Sequence, residues 1–432
     1  MKSASLSTDQ SPPITIPLSF FALAPLFLIL AAAMLALADN HPFSNAHSPA
    51  MLAATHCITL GFMASVMFGA MQQILPVLVG NKMPASRLVA WCSLLPLLLG
   101  TLSLCAGFIL GRPTLLNLAW PLLGFAFLIF ISASLISLAR AVAKNNTKTA
   151  LLLSVISLTV AAALGVLLAR GYGTGLSLPY DKFASAHIKL MLGGWVMLLI
   201  AGVSYQVVPM FQLTPNYPKW LSAVFAPAVL AVLLLSAALP WIAPYSYWAD
   251  TTTECAFWLL AVCFAVVTLK LQHRRRRHVP DATLSFFRLG MISILFAALF
   301  SLASLFHPAA EIHLRILSAL AFLIGFALSI IIGMLYKIIP FLIWFHLFRG
   351  GMKTGVPNMK QIIPEKWMWW HYRLQLGTLL AAISTQFFNM VAWAVTLGLL
   401  LQGLLLATAI YTAIGVYRKN LSQLNLSKNI PT

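Results

Sequence analysis

The feature that most constrains this chain is a recurrence. Twelve apolar runs, each long enough to cross a hydrocarbon core about 30 Å thick, follow one another with short polar connections between them. They fall at about 16–37, 51–79, 88–110, 114–139, 149–169, 184–210, 219–240, 252–271, 285–306, 313–347, 373–389 and 391–417. Backbone amides in lipid find no water, and a helix satisfies them within its own segment. The expected fold is therefore all-α and integral to the membrane, with twelve transmembrane helices. The longest connection, 348–372, leaves no room for an extramembrane domain. Composition agrees, with 61% hydrophobic and 8% charged residues, against about 45–50% and about 25% in soluble domains. A soluble enzyme is excluded.

The net charge of +19, from 27 Lys and Arg against 8 Asp and Glu, would point to nucleic acid in a soluble chain. Here no nucleic-acid partner is expected, because the cations sort by side. With the N-terminus inside, 21 of them fall on inner connections and tails, and Arg112, Arg170 and Lys182 fall outside. Lys189, Arg315 and Lys337 lie within or at the ends of spans. Such asymmetry predicts a multi-pass membrane protein with both termini cytoplasmic. The chain divides into a tail at 1–15, a membrane domain at 16–417 and a tail at 418–432. The first apolar run shows no small-residue cleavage site and is expected to stay as a span. Membrane lipid is one expected partner: Trp367, Trp369, Trp370 and Tyr372 suit an interfacial belt, and Arg274 to Arg277 suit anionic headgroups. Cys57, Cys92, Cys105, Cys255 and Cys263 show no C-x-x-C pair and are expected to pack as apolar residues.

Three spans carry one pattern. Gly69 to Pro76, Gly202 to Pro209 and Gly333 to Pro340 each run seven steps, on spans two, six and ten. This predicts three pseudo-repeats of four helices, at about 16–140, 149–272 and 285–417. Taken singly, the glycines would pack helices closely and the prolines would end them. Gln72, Gln73, Tyr205, Gln206 and Tyr336 precede the prolines and suit either a polar cavity or interhelical hydrogen bonds.

The same spans open, toward the outer face, with His56, His187 and His313. A neutral imidazole is a common ligand for haem iron and copper, and polar groups inside a span usually face the bundle interior. Met63, Met67 and Met71, at i, i+4 and i+8, offer soft donors to Cu(I) or plain core packing. Lys189 and Lys337 are expected to snorkel to the interfaces, with Lys189 and Arg315 alternatively facing haem propionates. No phosphate-binding loop, dinucleotide fingerprint or H-E-x-x-H occurs in a usable context, and no catalytic residue is assigned.

Twelve spans, a four-helix period and outer histidines on spans two, six and ten resemble subunit I of the haem-copper oxidase superfamily. The chain is similar in the same way to the NnrS-type membrane proteins of denitrifying bacteria. The resemblance implies that His56 and His313 ligate a haem, b-type, and that His187 holds a metal, copper in that family. It implies work in a bacterial inner membrane, in respiratory electron transfer, nitric oxide handling or metal-centre maintenance, beside a redox partner or another membrane subunit. The departures are specific. Residues 219–240 hold no histidine, Arg315 stands two after His313 where a second histidine is usual, and Met191 stands four after His187 where a tyrosine is common. The spans are also expected to lack a carboxylate proton relay, so oxygen reduction and proton pumping are not implied. The rival reading is a secondary transporter or permease with a midplane polar site, and a third is an assembly subunit without cofactor.

Overall fold

The computed structural model describes residues 12–38, 42–243, 247–276, 279, 281–352 and 355–428, and among them no strand occurs. The long helices in chain order are α1 (Thr15–Ala36), α2 (Pro49–Val79), α3 (Ser86–Ile109), α4 (Pro113–Arg140), α5 (Asn146–Thr174) and α6 (Tyr180–Gln212). They continue with α7 (Lys219–Ile242), α8 (Tyr247–His273), α9 (Ala282–Ser304), α10 (Pro308–Arg349), α11 (Glu365–Ser384) and α12 (Ala392–Lys428). All but α11 are long and apolar enough to cross a membrane, eleven among the described residues, so the chain is a multi-pass membrane protein.

The difference from the expected twelve lies in α11. Its first half carries Glu365, Lys366 and Arg373, and its buried face presents His371, Gln375 and Thr378. Apolar content is therefore low for its 20 residues. The helix nonetheless runs alongside α10, with Tyr336 and His371 in contact midway and Gln386, just past its end, beside His313. The turn expected near Asn389 is present as a 3₁₀ segment, Asn389–Val391. Helix α12 continues unbroken beyond residue 417 to Lys428. Residues 1–11 and 429–432 of the two tails lie outside the described residues.

Local chemistry sets several helix ends. Ser48, Asn145 and Asp281 accept hydrogen bonds from Met51, Lys148 and Thr283 backbone N–H groups, which closes the first turns of α2, α5 and α9. Prolines do not end the repeated spans. Pro76, Pro209 and Pro340 all sit inside helices, which run on to Val79, Gln212 and Arg349. Neighbouring helices in a membrane bundle can satisfy the carbonyl that a proline frees, so the ring is tolerated.

The same three spans share a second irregularity. Each contains eight residues of wide, π-helical turn: Cys57–Ala64 in α2, Lys189–Val196 in α6 and Ala321–Leu328 in α10. The segments start 132 residues apart, and a glycine holds the fifth place in each: Gly61, Gly193 and Gly325. Close approach explains part of this. A Cβ on Gly61 would overlap Phe27 of α1, and one on Gly325 would overlap Ser293 of α9, while in α6 the neighbouring Gly194 meets Ser157 of α5. The three spans meet at the centre around a small apolar cavity of about 70 Å³, lined by Met67 and Met71, by Leu199 and Val203, and by Ile331 and Met334.

A histidine-lined cleft between two repeated spans

His56 and His187 line one cleft, enclosed by α2 to α6. It is narrow: about 60 Å³ is wide enough for the centre of a water molecule, within about 660 Å³ not filled by atoms. The walls are Met63, Met67, Met191, Trp195, Phe127 and small aliphatic residues.

Each imidazole is held by a carbonyl. His56 Nδ1 lies 2.7 Å from the Leu52 carbonyl one turn earlier, and His187 Nδ1 lies 2.8 Å from the Ala161 carbonyl of α5. A carbonyl can only accept, so both Nδ1 atoms carry the proton and donate it. In a neutral ring the Nε2 atom then presents a lone pair, and neither Nε2 has a protein partner among the described residues. This tautomer, locked by a carbonyl, is the form in which histidine binds metal. His346 makes the same local bond to Leu342 at 2.9 Å, but its Nε2 lies 3.4 Å from the Pro12 carbonyl and among the described residues it shares no cleft with a second imidazole. The shared cleft is what distinguishes His56.

Space for the His187 ring comes from α5. A Cβ at Gly165 would stand 2.7 Å from His187 Cε1 and 3.1 Å from Nδ1. Behind His56, the Cys57 and Cys105 thiols meet at 3.5 Å and Cys105 Sγ lies 3.4 Å from the Ala53 carbonyl, a contact that sequence spacing does not reveal.

His313 is elsewhere. It is exposed, and its Nδ1 donates to Gln386 Oε1 at 3.1 Å. The expected pairing of His56 with His313 is therefore not what the structure brings together. The reason is depth. His56 and His187 stand one and two residues before their wide-turn segments, whereas His313 stands eight before its own, about 10 Å higher at 1.5 Å per residue. His47 and His307 are exposed, and His41 lies outside the described residues.

The five polar residues before the prolines separate. Gln72 and Gln73 are buried, and neither polar atom of the Gln72 side chain has a partner among the described residues. Tyr205 packs edge-on against Tyr217, its hydroxyl without a hydrogen-bond partner among the described residues, while Gln206 is exposed. Tyr336 hydrogen-bonds His371 Nδ1 at 2.8 Å and borders an inner cavity of about 200 Å³ with Lys337 and Asp281. His371, fully buried on α11, carries no sequence signal of its own; among the described residues its Nε2 and Gln402 Oε1 of α12 close no hydrogen bond of normal geometry, although Gln402 lies near enough to act on the ring.

Both lysines in the spans meet partners, Lys337 at the inner end of α9 and Lys189 on α7. Lys337 Nζ pairs with Asp281 at 3.1 Å, and Lys189 Nζ donates to Ser236 Oγ at 2.8 Å inside the bundle. One carboxylate does stand within a span, in the run 252–271. Glu254 lies within α8, two turns from its start, where it accepts from Ser301 and pairs with Arg315 at 3.4 Å. Arg315 is held in turn by Glu311 at 2.8 Å. Glu254 is tolerated there because a guanidinium from the neighbouring helix neutralises it. Among the described residues no group of three or more His, Cys, Asp or Glu could hold a metal ion, so a centre here would rest on the two histidines with help from methionine. No protein-family model matches this sequence, and no curated protein matches it significantly.

Proposed function

We propose that this is a twelve-span inner-membrane protein of the haem-copper oxidase subunit I type, with cytoplasmic termini, that holds a transition-metal centre between His56 and His187. The centre is a b-type haem iron or a copper ion. It serves respiratory electron transfer, nitric oxide handling or metal-centre maintenance, beside a redox partner or another membrane subunit. One observation carries this reading: two imidazoles share a narrow apolar cleft, each with Nδ1 spent on a carbonyl and Nε2 free. An unpaired acceptor in apolar surroundings is costly unless a ligand takes it. The donor set suits both metals, since paired imidazoles are known haem ligands and Met63, Met67 and Met191 add soft thioethers for Cu(I). As it stands the cleft, with about 60 Å³ open to a water centre, has room for a single ion, and a haem would require its walls to move apart.

Either metal would supply one-electron redox chemistry when bound. The chain's own contribution is separate: Leu52 and Ala161 fix the tautomers, Gly165 makes room for His187, and Trp195 and Phe127 give the cleft apolar walls. His313, exposed and bonded to Gln386, is not assigned to the centre. Three wide-turn segments at equal spacing, with a glycine at the same place in each, support the threefold repeat. Helix α11 supports the twelfth crossing, because Gln386 beyond its end meets both His313 and the Phe43 carbonyl of the first outer connection.

The test is metal analysis with a reduced-minus-oxidised optical spectrum of the purified protein and three variants. Wild type should carry near one equivalent of iron or copper. His56→Ala and His187→Ala should each lose it, and His313→Ala should keep it. Folded wild-type protein without iron or copper, or retention in both cleft variants, would overturn the assignment.

A further inference from the structure

A second cleft lies between α6 and α10, enclosed by α6 to α10 as the histidine cleft is enclosed by α2 to α6. Adding the 132-residue period to His56 and His187 gives Ile188 and Ala319, and both line this cleft. The two clefts thus occupy corresponding places, a comparison that rests on the repeat proposed above. Here, however, the metal-binding side chains are replaced, and the room for water centres grows to about 450 Å³.

What lines it is ionic at one end and aromatic at the other. Arg315 is neutralised by Glu311 and Glu254. Lys189 and Asp250 both border the cavity and attract one another across it, but among the described residues neither closes an ion pair. Lys189 Nζ has the Ser236 hydroxyl as its hydrogen-bond acceptor, which leaves two of its three N–H groups to spend. The floor is apolar, with Phe257, Trp258 and Phe322. A lone cation would suit a simple anion and a lone carboxylate a simple cation. Two opposite charges left apart in one cavity suit a ligand that carries both.

We propose that this cleft binds a zwitterion, an ammonium and an acid group a few atoms apart with an apolar portion attached. The acid group bonds Lys189, the ammonium bonds Asp250, and the apolar portion lies on the aromatic floor. A free amino acid and a phosphatidylethanolamine headgroup share this chemistry. The site stands on its own side chains and does not require a metal in the histidine cleft.

The experiment uses the full-length protein in two arms. In detergent, equilibrium binding compares L-phenylalanine with 3-phenylpropionate, which lacks the ammonium, and with phenethylamine, which lacks the carboxylate. In nanodiscs, co-purifying lipid is compared between phosphatidylethanolamine and phosphatidylglycerol. The zwitterion in at least one arm should bind about tenfold or more tighter than its singly charged counterparts, as the loss of one charged hydrogen bond implies. Lys189→Met and Asp250→Asn should each remove that preference without changing metal content. Asp250 is exposed, so its variant should fold even where Lys189→Met does not. Binding of the singly charged analogues as tight as the zwitterion, no binding in either arm, or an unchanged preference in Asp250→Asn would each overturn the proposal.

Discussion

Replacing Gly165 by Ala tests the histidine cleft without touching a proposed ligand. The new Cβ would stand 2.7 Å from His187 Cε1, 3.1 Å from Nδ1 and 3.6 Å from Nε2. Carbon atoms rest at about 3.5–4.0 Å, so the ring must move by about 1 Å. His187 Nδ1 now lies 2.8 Å from the Ala161 carbonyl, and a shift of that size takes the pair past the useful range of an N–H···O bond. Two consequences follow. Overpacking of this kind costs about 1–3 kcal/mol of stability, and loss of the bond that orients a ligating histidine typically costs about 10–100-fold in metal affinity. The assay is metal retention during titration with a competing chelator, followed by optical spectroscopy, with a thermal melt to report folding. Gly377→Ala is the control, since a Cβ there meets nothing within 4 Å and should change stability by no more than about 1 kcal/mol. Gly165→Ala protein that folds and holds metal as tightly as wild type, with an unchanged spectrum, would refute the coupling between α5 and His187.

Three further expectations can be checked. Tyr336→Phe removes the hydrogen-bond partner of buried His371 Nδ1, and an unpaired buried nitrogen should cost about 1–3 kcal/mol in a denaturation series, with the double variant Tyr336→Phe/His371→Leu less impaired. Asp281 caps α9 and pairs with Lys337; burial pushes its carboxyl up, but Lys337 and the Thr283 hydrogen bonds outweigh burial and hold it below the usual carboxylate range. Its contribution should therefore be complete above the unfolded carboxylate range and fade as pH falls through the lowered folded value; Asp281→Asn should flatten that acid limb, and an identical pH profile in the variant would count against the ion pair. A reporter after Asn146 should be cytoplasmic and one near Tyr245, which lies outside the described residues, periplasmic; finding both on one side would break the topology.

Much of the architecture is legible in the residues. Continuous apolar runs must become helices in lipid, and the helices begin and end close to where those runs do, from Thr15–Ala36 onward. The Gly-to-Pro pattern marks the three spans that carry wide turns, although no residue type announces a π-helical segment and the prolines misleadingly suggest helix ends. Composition underrates α11, because His371, Gln375 and Thr378 look like surface residues until α10 and α12 are packed over them.

The sequence by itself determined the class of fold, since a bilayer leaves few ways to satisfy a backbone, and it determined which histidines were worth following. Only the tertiary structure decided their partners. Which imidazole faces which depends on depth along two different helices and on the rotation between them. The wide turns alter both, placing His56 beside His187 and leaving His313 near the surface. The same holds for charge. A lysine in an apolar run reads as a cation seeking water, yet Ser236 on α7 and Asp281 before α9 meet Lys189 and Lys337 across distances in sequence of 47 and 56 residues. Lone charges are expensive in a membrane, and whether a partner waits on a neighbouring helix is settled by packing alone.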